Sequence, residues 1–165
     1  MQEQNKEKGS NKLLLGALAV GLVVVLAAVA FVSMRPSLNQ VAEQSLEGAF
    51  REGSPEFETY TKKIIIRTDE DRTTKSPTAM GTVVMSIGGV IRNITGKTLT
   101  GLEVKVTVVD LANAPLKEKA VMVIPKQQER LENNQSMPVR VSIEGFEKDA
   151  NIANIRWKVT AIKIE

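Results

Sequence analysis

The sequence predicts a mainly β chain: an antiparallel β-sandwich preceded by one transmembrane helix and a short juxtamembrane amphipathic helix. Three observations carry this reading. An uncharged apolar run of 22 residues covers 13–34, apolar residues recur at helical intervals over 37–52, and two-residue alternation takes over after residue 57. A length of 165 residues suits one domain with appendages. The expected organisation is a cytoplasmic tail (1–12), an anchor (13–34), a juxtamembrane helix and linker (35–56) and an exported domain (57–165).

The apolar run reads LLLGALAVGLVVVLAAVAFVSM and is closed by Lys12 and Arg35. As a helix it reaches ~33 Å, enough for a ~30 Å hydrocarbon layer. A cleavable secretory signal is the rival reading, because Ala28-Val29-Ala30 supplies a small-x-small site behind a Lys-containing start. The run exceeds the ~7–15 apolar residues usual in such signals, which favours a retained anchor. Lys6, Lys8 and Lys12 before the run outnumber Arg35 and Arg51 after it. That bias places the amino terminus in the cytoplasm and the rest of the chain outside. Ala17 and Gly21 form a small-xxx-small pair with Ala28 a heptad further on, the pattern that lets membrane helices approach closely. Alanine and glycine are also simply common in such anchors. Without cysteine the chain is not an acylated lipoprotein.

After the run, Ser37 and Gln40 have capping-box spacing, and Leu38, Val41, Ala42, Leu46, Ala49 and Phe50 recur at helical intervals until Gly53 and Pro55. Glu43, Glu47 and Glu52 give this expected helix an acidic face. Anionic headgroups would repel it, so its expected neighbour is the sandwich or a partner protein.

The clearest strand sets Leu102, Val104, Val106 and Val108 on one face and Glu103, Lys105 and Thr107 on the other. Met137, Val139, Val141 and Ile143 repeat the pattern, as do Ile155, Trp157, Val159 and Ala161. The apolar phase then shifts to Ile162 and Ile164, which predicts a bulge or a loss of pairing. Less regular strands are expected at about 58–67, 81–92 and 119–125, separated by turn residues at Thr95-Gly96-Lys97, Asn113-Ala114-Pro115 and Asn133-Asn134. Six or seven half-apolar strands without a crossover helix match an immunoglobulin-like two-sheet sandwich and not a parallel α/β fold.

Ile87-Gly88-Gly89-Val90-Ile91-Arg92-Asn93 followed by a polar turn and a strand closing on Asp110 resembles the FxLYD-like family of bacterial exported β-sandwich domains. Gly89, Ile91 and Asn93 stand at the family's Gly-x-Val-x-Asn positions. Val106-Thr107-Val108-Val109-Asp110 stands at its Phe-x-Leu-Tyr-Asp positions, with Asp110 retained. The resemblance implies a β-sandwich on a membrane anchor and no catalytic residues. Read physically, Asn93 and Asp110 are structural turn residues that bond nearby backbone, and Gly88-Gly89 permits a close backbone approach or a bulge.

Chemistry-bearing residues are sparse. There is no His and no Cys, which removes the imidazole base, the thiol nucleophile and thiolate or imidazole metal ligands. Lys and Arg number 22 against 19 Asp and Glu, and the stretch beyond the tail carries 19 against 17, so the pI of 9.2 does not indicate a nucleic-acid-binding face. Asp69, Glu70 and Asp71 read as a solvated loop, and Glu144, Glu147, Asp149 and Asn151 lack the Gly and bidentate Glu of a calcium loop. Ser86 and Ser142 have no His to activate them, the exported domain lacks a Ser-x-x-Lys motif, and no phosphate loop occurs. Asn93-Ile94-Thr95 and Asn134-Gln135-Ser136 fit the glycosylation pattern and read as incidental turns. The expectation is a non-enzymatic, membrane-tethered interaction or scaffolding protein without cofactor or metal. Its partners are the lipid bilayer and a protein or membrane complex, not nucleic acid. The alternative is an exported module binding a small ligand or ion through residues 144–151.

Overall fold

The structure, a computed structural model, describes residues 46–165. The expected span, the stripe of Ala17, Gly21 and Ala28, and the first part of the amphipathic helix lie outside the described residues. Among the described residues, no helix is long and apolar enough to cross a membrane.

Seven strands and one helix follow in order: β1 (Phe50–Arg51), α1 (Pro55–Thr61), β2 (Ile64–Pro77), β3 (Val83–Asn93), β4 (Leu99–Asp110), β5 (Pro115–Ile124), β6 (Ser136–Phe146) and β7 (Ile152–Ile164). They form two antiparallel sheets, ordered β1-β7-β4-β5 and β2-β3-β6. Alternation decides which side chains go inside. Val104, Val106 and Val108 on β4, Ile87 and Ile91 on β3, and Met137, Val139 and Val141 on β6 are buried in one apolar core between the sheets. The intervening Arg92, Arg140 and Ser142 are exposed.

The phase shift on β7 is a bulge. Glu103 pairs with Ala161 while Val104 pairs with Val159, so Thr160 is left as the extra residue. The insertion returns Ile162 to the core and turns Ala161 to the opposite face, where it packs with Leu46 and Met122. Plain alternation puts Ala161 on the Val159 face, and the bulge reverses it.

Two expectations fail between residues 46 and 63. The final part of the predicted amphipathic helix is a turn followed by β1, because Gly48 adopts φ 74° and Phe50 pairs with Ile162. Its apolar residues serve different faces: Leu46 covers Met122 and Ala161, and Phe50 stacks on Tyr60 with ring centroids 6.2 Å apart. The strand expected from about residue 58 starts only at Ile64, because residues 55–61 are helical. Ser54 caps α1 by accepting from the Phe57 amide at 3.2 Å, and Pro55 fits the first turn, where its missing N–H costs nothing. Phe57 then enters the core.

In the second sheet, Asp69 registers with Gly88 and Thr74 with Ser86, so four residues of β2 stand opposite one of β3. Asp69 holds this bulge: Oδ1 accepts from the Arg72 amide at 3.2 Å, and the Thr73 hydroxyl donates to the Asp69 carbonyl at 2.8 Å. A Cβ on Gly88 would lie 2.6 Å from that of Arg72, so glycine is what lets the bulge fold over β3.

Candidate functional site

Gly89, Ile91 and Asn93 share the inward face of β3, and Asp110 closes β4. Asn93 is fully buried. Its Nδ2 donates to the carbonyls of Lys97 (2.8 Å) and Leu131 (2.9 Å), and its Oδ1 accepts from the amide (2.9 Å) and hydroxyl (2.7 Å) of Thr95. One amide thereby joins the β3–β4 turn to the segment before β6. Asp110 Oδ1 accepts from the amides of Ala112 (2.9 Å) and Ala114 (2.8 Å), closing the turn in which Asn113 takes φ 64°. Apart from the Thr95 hydroxyl, these side chains use their hydrogen bonds on backbone, which is work for the fold.

The acidic candidates do not converge. Asp69 is committed to the β2 bulge and to Arg72, whose Nε lies 3.4 Å from Oδ2. Glu147, Asp149 and Asn151 share a shallow basin with Asp110 and Lys117 beside Gly145. Among the described residues no group of three or more acidic side chains is placed to hold a metal ion. Ser86 and Ser142 register with each other across β3 and β6.

The two sides of the sandwich differ. On the β5–β6 side the edge of β6 is covered: the Gln127 amide accepts from the Arg140 N–H and donates to the Arg140 carbonyl, both at 2.9 Å, and Lys119 Nζ donates to the Ser142 carbonyl at 2.8 Å. On the other side β2 is an edge strand and β7 is covered by β1 only at Ala161 and Ile162, so Ile152–Thr160 has no neighbouring strand there among the described residues. Trp157 divides this side by donating from Nε1 to Thr68 Oγ1 at 3.0 Å. Toward α1 lies a hollow of about 370 Å³ bordered by Phe57, Ile66, Trp157 and Lys158. Beyond the indole lies one of about 200 Å³ bordered by Glu70, Thr73, Ala153 and Ile155. At the rim of the first hollow, toward α1, the Lys158 ammonium donates to both Glu52 oxygens at 2.8 and 2.9 Å. That hydrogen bond and charge hold the Glu52 carboxyl below its ordinary range. An unpaired edge beside a half-apolar cleft is a template for an added strand.

The outer faces also differ in charge. Over the four-stranded sheet Lys105 meets Glu118 at 3.5 Å, and the Thr160 hydroxyl donates to Glu103 at 2.6 Å. Over β2-β3-β6, Arg67, Arg92 and Arg140 are exposed, with no ion-pair partner among the described residues. Sequence reasoning missed this grouping, since the three arginines lie on three strands whose register the sequence does not state.

No family model and no curated protein matches the chain. Two solved structures show loose similarity. A crystal structure of a DUF1425 family member from Shewanella sp. pv-4 aligns at 18% identity and a TM-score of 0.31, over 58% of this chain and 75% of that one. The X-ray structure of a Northeast Structural Genomics Consortium target, SoR45, aligns at 8% identity and a TM-score of 0.40, over 64% of this chain and 86% of that one.

Proposed function

We propose that this chain is a non-enzymatic, membrane-tethered interaction module, a small accessory subunit of a larger membrane complex. Residues 13–34 anchor it with the amino terminus in the cytoplasm, and an FxLYD-like, immunoglobulin-like sandwich stands on the far side as the contact body. The observation that carries the reading is the open β7 edge: one side of the sandwich is sealed by Gln127 and Lys119, whereas on the side away from β4 Ile152–Thr160, which includes Trp157, has no neighbouring strand among the described residues. An extended segment of the partner adds there as a strand next to β1, with its side chains in the hollows on either side of the indole. Ala17, Gly21 and Ala28 supply the contact within the bilayer. The absence of His and Cys fits a protein that binds without catalysing.

Because the chain has no Cys, single substitutions report its placement directly. In intact cells a membrane-impermeant maleimide should label Glu118→Cys, which is exposed on the opposite side of the sandwich, and spare Ser10→Cys. Labelling of Ser10→Cys alone, or recovery of both variants in the soluble fraction, overturns the tethered arrangement. A photo-crosslinker at Ala153 should give a discrete protein adduct that the same group at Glu118, on the opposite side, does not give. Gly21→Leu should weaken co-purification of that partner in mild detergent, without crosslinking.

A further inference from the structure

We propose that the outer face of the β2-β3-β6 sheet docks on an anionic phospholipid surface, an inference that rests on the tether reading above. The register places one arginine in each of three successive rows. Arg92 on β3 pairs with Ile65, Arg67 on β2 pairs one row on with Val90, and Arg140 on β6 pairs one row further with Gly88. With strands ~4.8 Å apart and ~6.8 Å between rows, the three lie within ~14 Å of one another. Arg72 fills the space over Gly88, making a fourth. Asp69 is the only acidic residue paired in these rows, and Arg72 already holds it, while Glu70 and Asp71 are exposed in the same bulge as Arg72. Between the arginines, Ile65 and Val90 remain 37% exposed. The face therefore carries three exposed guanidinium forks with apolar side chains among them, bordered by the β2 bulge. Guanidinium groups match phosphate oxygens two at a time, and exposed aliphatic groups gain by entering the headgroup layer.

Two features favour lipid over an acidic protein as the occupant. Residues 35–45 separate the expected span from Leu46, and these eleven residues reach at most ~40 Å. The face is thus held within one short tether of a bilayer, at high effective concentration. The chain also enters the sandwich at the end where the arginine rows begin. Phe50 pairs with Ile162, Leu99 pairs with Ile164 and bridges to Leu131, and Asn93 at the end of β3 bonds the Leu131 carbonyl.

The test uses the full chain reconstituted into vesicles of phosphatidylcholine alone or with about 30% phosphatidylglycerol, an anionic lipid that attracts basic surfaces. An environment-sensitive fluorophore is attached at Val90→Cys and, as a control on the opposite outer face, at Lys105→Cys. With anionic lipid the Val90 label should shift to the blue and be quenched by headgroup spin-labelled lipid. Without anionic lipid, or at the Lys105 position, it should do neither. Each of Arg67→Gln, Arg92→Gln and Arg140→Gln should lower the docked-to-free ratio about fivefold, and molar salt should release the face. A Val90 label that stays in water on both lipids, in protein that floats with the vesicles, overturns the docking alone and leaves the arginines to an acidic protein. Protein recovered apart from both vesicles overturns the tether and the docking with it.

Discussion

Gly89 and Trp157 face each other across the sandwich at a separation only glycine allows. A Cβ on Gly89 would sit 2.9 Å from Cζ2 of the indole and 3.1 Å from the Arg67 carbonyl oxygen. The missing side chain admits the indole between the sheets, where its N–H reaches Thr68 and divides the open side of the sandwich. The glycine is thus tied to the candidate cleft through the residue it accommodates.

Gly89→Ala should therefore destabilise the fold by about 1–3 kcal/mol, the usual cost of an added methyl group in a full interior. Trp157→Leu in the same chain should recover part of that loss, because it removes the ring atoms the new methyl meets. A double-mutant cycle in chemical denaturation measures the coupling. Additive losses would show that Trp157 is not what constrains residue 89.

Asn93 makes a second prediction. Asn93→Ala leaves the Lys97 and Leu131 carbonyls and the Thr95 amide without the partner they have now. The Thr95 hydroxyl still donates to the Lys97 carbonyl and the Leu99 amide to the Leu131 carbonyl, so the Thr95 amide is the group left without a partner, and a loss of about 1–3 kcal/mol is expected. Asn93→Asp keeps the shape but turns an acceptor toward two carbonyls, and it should be no better tolerated. Thermal unfolding compares the two, and near-native stability of the Asp variant would contradict the hydrogen-bond assignment.

These two residues also show how far the sequence could be read. Gly89 and Asn93 stood out because glycine inside a strand and asparagine before a turn each have few physical roles, although the partners Trp157 and Leu131 are far off in the chain. Strand alternation was readable where one face is buried, and the displaced phase of Ile162 and Ile164 announced the Thr160 bulge. Residues 46–63 were misread because apolar spacing alone cannot show that Gly48 turns the chain. Pro55 can end one helix or open another, and behind a Ser54 cap and before Glu56 it opens one. The arginine face and the unequal edges depend on cross-strand register, which no local pattern contains.

The Glu52–Lys158 pair predicts a pH dependence. The Lys158 hydrogen bond and charge favour ionised Glu52 in the folded chain, so its carboxyl titrates below the ordinary glutamate value, ~4.3. The pair's contribution is present above that ordinary value and is lost as pH falls through the lowered one. In Lys158→Met the Glu52 midpoint, followed by carboxyl NMR, should move up toward the ordinary value. Thermal stability of that variant should fall less steeply on acidification through this window. An unchanged midpoint would mean that the ion pair does not persist in solution.

The sealing of β6 can be tested through Gln127, whose amide does for Arg140 what a neighbouring strand would do, accepting from its N–H and donating to its carbonyl. Gln127→Ala removes both bonds and exposes a backbone position beside the apolar interior. A stability loss of about 1 kcal/mol is expected, since the freed groups can turn to water. The larger effect should be on association, because an uncovered edge offers pairing groups to a second copy. Concentration-dependent light scattering should show self-association in Gln127→Ala beyond that of the parent chain, and Gln127→Glu should resemble it, since a carboxylate cannot donate to the Arg140 carbonyl. If both variants scatter like the parent, the edge of β6 is protected by something other than this side chain, and the contrast between the sealed and open sides of the sandwich loses its physical basis.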